Sequence, residues 1–153
     1  MQVTLVILKP SAVQRGILGE VIARFEKKGI QIVGMKMVCL TDETLEEHYA
    51  HLLNKPFYGR IKDSMQASPV LIMALKGVDV INVVRKLSGV TNGREAEPGT
   101  IRGDYSMSVQ ENIVHASDSA ETAAAELERF FSEGEIFDYE PRLGPYYYAN
   151  DEL

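Results

Sequence analysis

Cys39 is the sole cysteine in the 153 residues, so no intrachain disulfide can form, and a lone thiol fits a reducing compartment. Long apolar runs are missing too. The longest, Val70 to Leu75, falls far short of the ~20 residues that a membrane-spanning helix needs. Met1-Gln2-Val3-Thr4 leads straight into a strand-like run with no basic leader. No secretory signal is visible, and a cytoplasmic, non-membrane protein is expected. Positive charge is scarce: 16 Lys and Arg against 22 Asp and Glu leave a net charge of −6. That disfavours a nucleic-acid partner unless basic groups gather locally. The usual phosphate cradles are absent, with neither a glycine-rich loop ending in Gly-Lys-Ser/Thr nor spaced dinucleotide-type glycines. No cysteine–histidine cluster has zinc spacing. His48 and His51, three apart on a helical stretch, could hold a metal but lack a third ligand nearby, so they read as surface or partly buried polar groups.

What remains is a soluble-type composition, 45% hydrophobic and 25% charged, in one domain spanning residues 1–153. No linker, low-complexity tract or internal repeat divides it. Thr4 to Leu8 reads as a buried strand stopped by Lys9-Pro10. Leu18, Val21, Ile22 and Phe25 fall at helical spacing, and Gly29 ends that helix. Ile30 to Leu40 is a second strand whose alternation shifts phase around Gly34, the mark of a bulge. Leu45, Tyr49 and Leu52 mark a helix starting near Thr41 or Asp42. A third strand, Val70 to Leu75, precedes a helix carrying Val80, Val84 and Leu87. Gly89 to Ser108 reads as one long loop, which inside a compact domain is usually functional. Asn112 to His115 is the last strand. Asp118-Ser119-Ala120-Glu121 resembles a capping box opening a final helix that would bury Ala120, Ala124, Leu127 and Phe131. Residues 138–153 form an aromatic tail without a period, expected to drape over its own domain or a neighbouring subunit. Alternating strands and helices give a small α/β sheet covered by helices, parallel or antiparallel.

His115 stands at a strand end and ahead of a helix, where a side chain titrating near neutrality suits nucleophilic or acid–base work; a structural role is the alternative. Lys9 follows the first strand, Arg85 closes a helix, and Arg102 sits in Gly99-Thr100-Ile101-Arg102-Gly103-Asp104, where glycines permit close approach to a ligand. Singly these are ordinary surface cations. Gathered, they could draw a polyphosphate, since a charge pair at ~4 Å is worth about 4 kcal/mol at an intermediate dielectric. Glu126 lies eight residues beyond Asp118, roughly 12 Å along a helix at about 1.5 Å per residue. If the helix doubles back, that equals three or four strand residues at about 3.3 Å each, level with His115. A carboxylate there could bind one ring nitrogen and free the other as nucleophile.

Together these residues resemble nucleoside diphosphate kinases, over essentially Thr4 to Tyr139. Asn112-Ile113-Val114-His115-Ala116-Ser117-Asp118 matches the family's active-site signature. Leu8-Lys9-Pro10, Val13-Gln14-Arg15-Gly16, His48-Tyr49, Lys55-Pro56-Phe57 and Pro98 to Asp104 match in the same order. The resemblance implies an α+β, ferredoxin-like core, a four-stranded antiparallel sheet covered by helices. It implies ping-pong transfer of the terminal phosphate from a nucleoside triphosphate to a nucleoside diphosphate through a phosphohistidine at His115. Glu126 and Ser117 would orient the ring. Lys9, Tyr49, Arg85, Thr91, Arg102 and Asn112 would line phosphates and sugar, and Phe57 and Val109 would clamp the base by stacking, with little base preference. Mg2+ would arrive on the nucleotide phosphates, with no metal ligands from the chain. The partners implied are nucleotides and further copies of the chain, a hexamer before a tetramer.

Departures are modest. Gly93 stands where many members carry proline, which implies a looser loop, and Ala116 replaces a commoner glycine. Two other readings stand beside the kinase. A nucleotide-sensing module without transfer activity would have no need of His115, Glu126 and Ser117. A nucleic-acid-binding sheet is opposed by the charge of −6 and by the lack of an aromatic, basic strand pair.

Overall fold

A computed structural model describes residues 1–141 and 144–152. Four strands, β1 (Gln2–Leu8), β2 (Gln31–Val38), β3 (Val70–Gly77) and β4 (Val114–Ala116), form one sheet in the order β2-β3-β1-β4. Every pairing is antiparallel. The pattern had allowed a parallel sheet; the long central strand β1 instead runs against both neighbours. Its last five residues, Thr4 to Leu8, are all buried, because helices cover both faces. Val6 and Leu8 pack with Val21 and Phe25 of α2 (Leu18–Lys27) and with Val80 and Val84 of α5 (Val80–Ser88). Leu5 and Ile7 point the other way, to Leu45 of α3 (Asp42–His48), Met65 of α4 (Tyr58–Gln66) and Phe130 of α7 (Ala120–Phe130). The period of two along β1 thus divides the core between two helical layers.

Several local expectations hold in detail. The register of β2 on β3 slips between Ile32 and Gly34, the bulge read from the phase shift. Thr41 caps α3 by accepting a hydrogen bond from Thr44 N–H at 3.2 Å. Others are corrected. Two helices stand where the periodicity marks none, α4 and α1 (Pro10–Gln14), where Pro10 opens a helix rather than merely ending the strand. Gly89 to Ser108 is not all loop, because Ile101–Tyr105 forms α6, capped by the Thr100 hydroxyl, which accepts from Gly103 N–H at 3.0 Å. A side chain on Gly103 would collide with the Glu97 carbonyl, which explains the glycine inside so short a helix.

The final helix is capped one residue later than Asp118, by Ser119 accepting from Thr122 N–H at 3.0 Å. Its buried face is shifted in part: Ala123, Glu126 and Phe130 are inside and Ala120 and Ala124 are exposed, while Leu127 packs partly buried against the core and Phe131 is buried as expected. Apolarity misled here because the inward face carries a charged residue. β4 starts only at Val114, since Ile113 has φ +71° and Val114 N–H bonds back to Asn112 C=O at 2.8 Å, closing a γ-turn. A β-branched residue in that region costs about 1–3 kcal/mol. Its side chain is fully buried in the core, and its carbonyl takes the Lys9 N–H at 2.9 Å.

Of the tail, the described residues lie on their own domain. Tyr139 hydroxyl donates to Ile32 C=O at 2.7 Å, Lys76 pairs with Asp138 at 2.7 Å, and Val78 N–H donates to the Tyr148 hydroxyl at 3.4 Å. Among the described residues no helix is long and apolar enough to cross a membrane.

Candidate active site

Antiparallel pairing sets His115 opposite Ile7, so its side chain shares the face of Ile7, toward α3 and α7. Helix α7 doubles back along that face. His115 Nε2 meets Glu126 Oε1 at 2.9 Å and Oε2 at 3.1 Å. Ser117, one strand residue beyond Ala116 and fully buried, donates its hydroxyl to Glu126 Oε2 at 2.5 Å. The level estimated from helix and strand rises is therefore the level found, and Glu126 is only 5% exposed. Burial alone would push its carboxyl pKa up. The hydrogen bond and charge of His115, the Ser117 hydroxyl and His48 outweigh burial and hold it below the ordinary glutamate value.

Behind this pair stands His48. Its Nδ1 lies 3.6 Å from Glu126 Oε1 and 3.5 Å from Arg129 Nη1, and its ring meets that of His115 edge to face with centroids 4.8 Å apart. Burial first, then the neighbouring His115, lower its pKa to about 3, so the ring is neutral. By sequence His48 and His51 read alike, as surface or partly buried polar groups. The fold separates them: His48 is buried in the site and His51 is exposed. One signal pointed there, since His48 follows Leu45 by three residues on the buried face of α3. Arg129, with Nε 2.9 Å from Glu47, was missed because nothing in its local sequence marks it.

In front of His115 opens a cavity of about 820 Å³. Lys9, Tyr49, Arg85, Thr91, Arg102 and Asn112 all line it, together with His115 and Glu126, whereas Ser117 lies behind the wall. Phe57 and Val109, both exposed, line an adjoining cavity of about 620 Å³ that shares Lys9, Tyr49, Thr91 and Asn112 with the first. Among the described residues, Lys9, Arg85 and Arg102 form no salt bridge. Withdrawal from water, then the charge of Arg102, lower the Lys9 pKa to about 8 despite Glu111. Withdrawal from water and Arg85 bring Arg102 to about 10. These cations crowd one another, and among the described residues no carboxylate pairs with any of them, the electrostatics of a site made for an anion.

The loop geometry fixes them. Arg102 donates to Gly89 C=O and Val114 C=O at 2.6 Å each, tying α6 to the ends of α5 and β4. Arg24 pairs with Asp104 at 2.5 Å, holding α6 against α2. Asn112 donates to Val109 C=O at 2.8 Å and Thr91 C=O at 3.2 Å, and its buried Oδ1 has no partner among the described residues. Gly93 is closely packed in its loop: it donates to Ser108 C=O at 3.1 Å, and any Cβ there would stand 2.3 Å from Ser106 C=O. Tyr49, at the end of α3, has its phenol pushed up to about 12 by burial and by Glu126.

A carboxylate-held histidine facing an unpaired set of cations defines an enzyme that handles phosphate groups. The sequence profile of the nucleoside diphosphate kinase family matches residues 2–136. The nucleoside diphosphate kinase of Parabacteroides distasonis is 66% identical over 153 residues, all of both chains. That of Rhodopirellula baltica is 50% identical over 99% of this chain and 100% of its own. The structure of a halophilic nucleoside diphosphate kinase from Halobacterium salinarum in complex with CDP superposes with a TM-score of 0.93 at 36% identity, covering 96% of this chain and 98% of that one. The chain belongs to the nucleoside diphosphate kinase family and is a phosphotransferase acting on nucleotides.

Proposed function

We propose that the transfer runs in two half-reactions through a phosphohistidine at His115. The bidentate contact of His115 Nε2 with Glu126, at 2.9 and 3.1 Å, carries this reading. Nε2–H donates a hydrogen bond to the carboxylate and keeps its proton, so the lone pair lies on Nδ1. That nitrogen attacks the terminal phosphorus of a nucleoside triphosphate in the cavity. The N–P bond forms, the bridging P–O bond breaks, and the nucleoside diphosphate leaves with the electron pair. The ring keeps its Nε2 proton, so no proton need be passed to another group. Positive charge that builds on the ring is met by Glu126, which Ser117 steadies from behind. A second nucleoside diphosphate then takes the group by the reverse step.

Phosphoryl transfer asks mainly for alignment and charge neutralisation. Lys9, Arg85 and Arg102 would neutralise the phosphates, Tyr49 and Thr91 would add hydroxyls, and the unpartnered Asn112 Oδ1 suits a sugar hydroxyl. Phe57 and Val109, exposed across the adjoining cavity, would sandwich the base, which reads ring faces rather than edges. Mg2+, a hard cation, keeps waters and binds phosphate oxygens. The cavity fits an ion carried that way: its cations await phosphates, and its exposed carboxylates Asp118 and Glu121 make no hydrogen bond among the described residues. When bound, the ion would supply further charge neutralisation at the phosphates. A homo-oligomer, a hexamer before a tetramer, and a cytoplasmic location accompany this reading by family resemblance.

The test is to mix the protein with γ-labelled ATP and Mg2+ and no acceptor. Acid-labile, alkali-stable label on the wild type, chased by GDP, is expected, with none on His115→Ala. Label retained by His115→Ala at the wild-type level would reject the nucleophile. Nucleotide binding without any label on the wild type would favour a sensor.

A further inference from the structure

We propose that His48, His115 and Glu126 also form a binding site for a borderline-soft divalent cation, best fitted by Zn2+, and that its occupancy switches phosphoryl transfer off. Their three ligand atoms lie within 4.8 Å of one another. Two imidazoles and a carboxylate with an open fourth position form a set that suits zinc. With metal–ligand bonds of about 2.0–2.1 Å, the 2.9 Å between His115 Nε2 and Glu126 Oε1 subtends about 90° at the ion. The 3.6 Å between His48 Nδ1 and the same oxygen subtends about 120°. These angles bracket the tetrahedral value. The ligand atoms, all within 4.8 Å of one another, need to come within about 4 Å, twice the metal–ligand bond, to complete the set. The cavity side of the cluster leaves the fourth position to water.

His48 is buried behind the pair, with Nδ1 3.6 Å from Glu126 Oε1. Arg129 opposes the ion, with Nη1 3.5 Å from His48 Nδ1, and must withdraw. It retains a partner when it does so, because its Nε lies 2.9 Å from the exposed Glu47. Mg2+ does not compete, since it demands oxygen ligands in octahedral geometry. An ion on His115 Nε2 displaces that nitrogen's proton, which exchanges through solvent onto Nδ1, so the neutral ring has no lone pair there for attack; the ion also cancels the charge of Glu126. The nucleophile then loses the support that the free enzyme gives it. The inhibition rests on His115 as nucleophile; the binding does not.

The experiment titrates the metal-free protein with Co2+, whose four-coordinate form absorbs visible light far more strongly than the hexaaquo ion, and then displaces it with Zn2+. An intense spectrum is expected from the wild type and from Cys39→Ser and His51→Gln. Changing partners that merely orient ligands weakens metal binding about 10–100-fold, so loss of a ligand in His48→Gln should weaken Zn2+ at least as much and abolish the spectrum. Glu126→Gln provides a second ligand deletion if His48→Gln does not fold. On the wild type, labelling from γ-labelled ATP with Mg2+ should fall along the Zn2+ titration and return with a zinc-selective chelator. Only a six-coordinate spectrum, wild-type Zn2+ affinity in a folded ligand variant, or loss of binding in Cys39→Ser would overturn the site. Zinc bound at the cluster with labelling undiminished would overturn the switch. Absence of label even without zinc would instead defeat the nucleophile reading and leave the binding result standing.

Discussion

Replacing Glu126 by glutamine keeps the shape of the buried side chain and removes its charge. The amide oxygen can still accept from His115 Nε2–H and the amide nitrogen can face Ser117, so the ring should stay in place. The charge opposite the ring is lost. Hydrogen bonds to charged groups contribute about 1.5–3 kcal/mol and neutral ones about 0.5–1.5, so the loss is about 1–2 kcal/mol. Because ring charge develops in the transition state, the loss appears as a roughly 5- to 30-fold slower phosphorylation. Rapid-quench measurement of phosphoenzyme formation from γ-labelled ATP reads the step directly, with equilibrium dialysis giving the nucleotide affinity. Labelling at the wild-type rate, or a defect confined to nucleotide affinity, would refute the argument. A second consequence concerns acid. The Glu126 carboxyl is held below its ordinary value, against burial, by His115, Ser117 and His48. A group with a depressed folded pKa contributes stability above its unfolded value, about 4.3 for glutamate, and loses it as pH falls through the lower folded value. Glu126→Gln should therefore lose less stability than the wild type in the range just below pH ~4.3.

Three further outcomes are expected. Phe57→Ala should raise the KM for purine and pyrimidine diphosphates by similar factors, about 1–3 kcal/mol per stacked base; a defect limited to one base class would show edge reading instead. Binding of ADP at pH 8.5 should take up more than about half a proton, because phosphate restores Lys9 from a pKa of about 8 toward its ordinary ~10.4. Calorimetry in buffers of different ionisation enthalpy measures that uptake. It should fade at pH 7, where Lys9 is already protonated, and disappear in Lys9→Met. Gly93→Ala should cost about 1–3 kcal/mol as an overpacking change against Ser106; an unchanged urea midpoint would mean that the loop gives way freely.

Local patterns in the sequence determined those parts of this protein that depend on near neighbours. The strand at Thr4 to Leu8, the stop at Gly29, the bulge at Gly34 and the histidine placed between a strand end and a helix start all come from residues a few positions apart. Even the pairing of His115 with Glu126 could be worked from helix and strand rises, since both lie on one strand–turn–helix unit. Tertiary structure decided what depends on distant chain segments. The antiparallel order β2-β3-β1-β4 is a choice among pairings that alternation leaves equal. The inward face of α7 could not be read from apolarity, because Glu126 is buried for its partners rather than for its hydrophobicity. His48 reaches His115 only because α3 and β4, 67 residues apart in the chain (115 − 48), pack on one face of the sheet. Likewise Lys9, Arg85 and Arg102 are ordinary cations in sequence, and their mutual field exists only where the end of β1 meets helices α5 and α6. Charge and packing act through space, so their sum at a site becomes defined only when the chain has closed on itself.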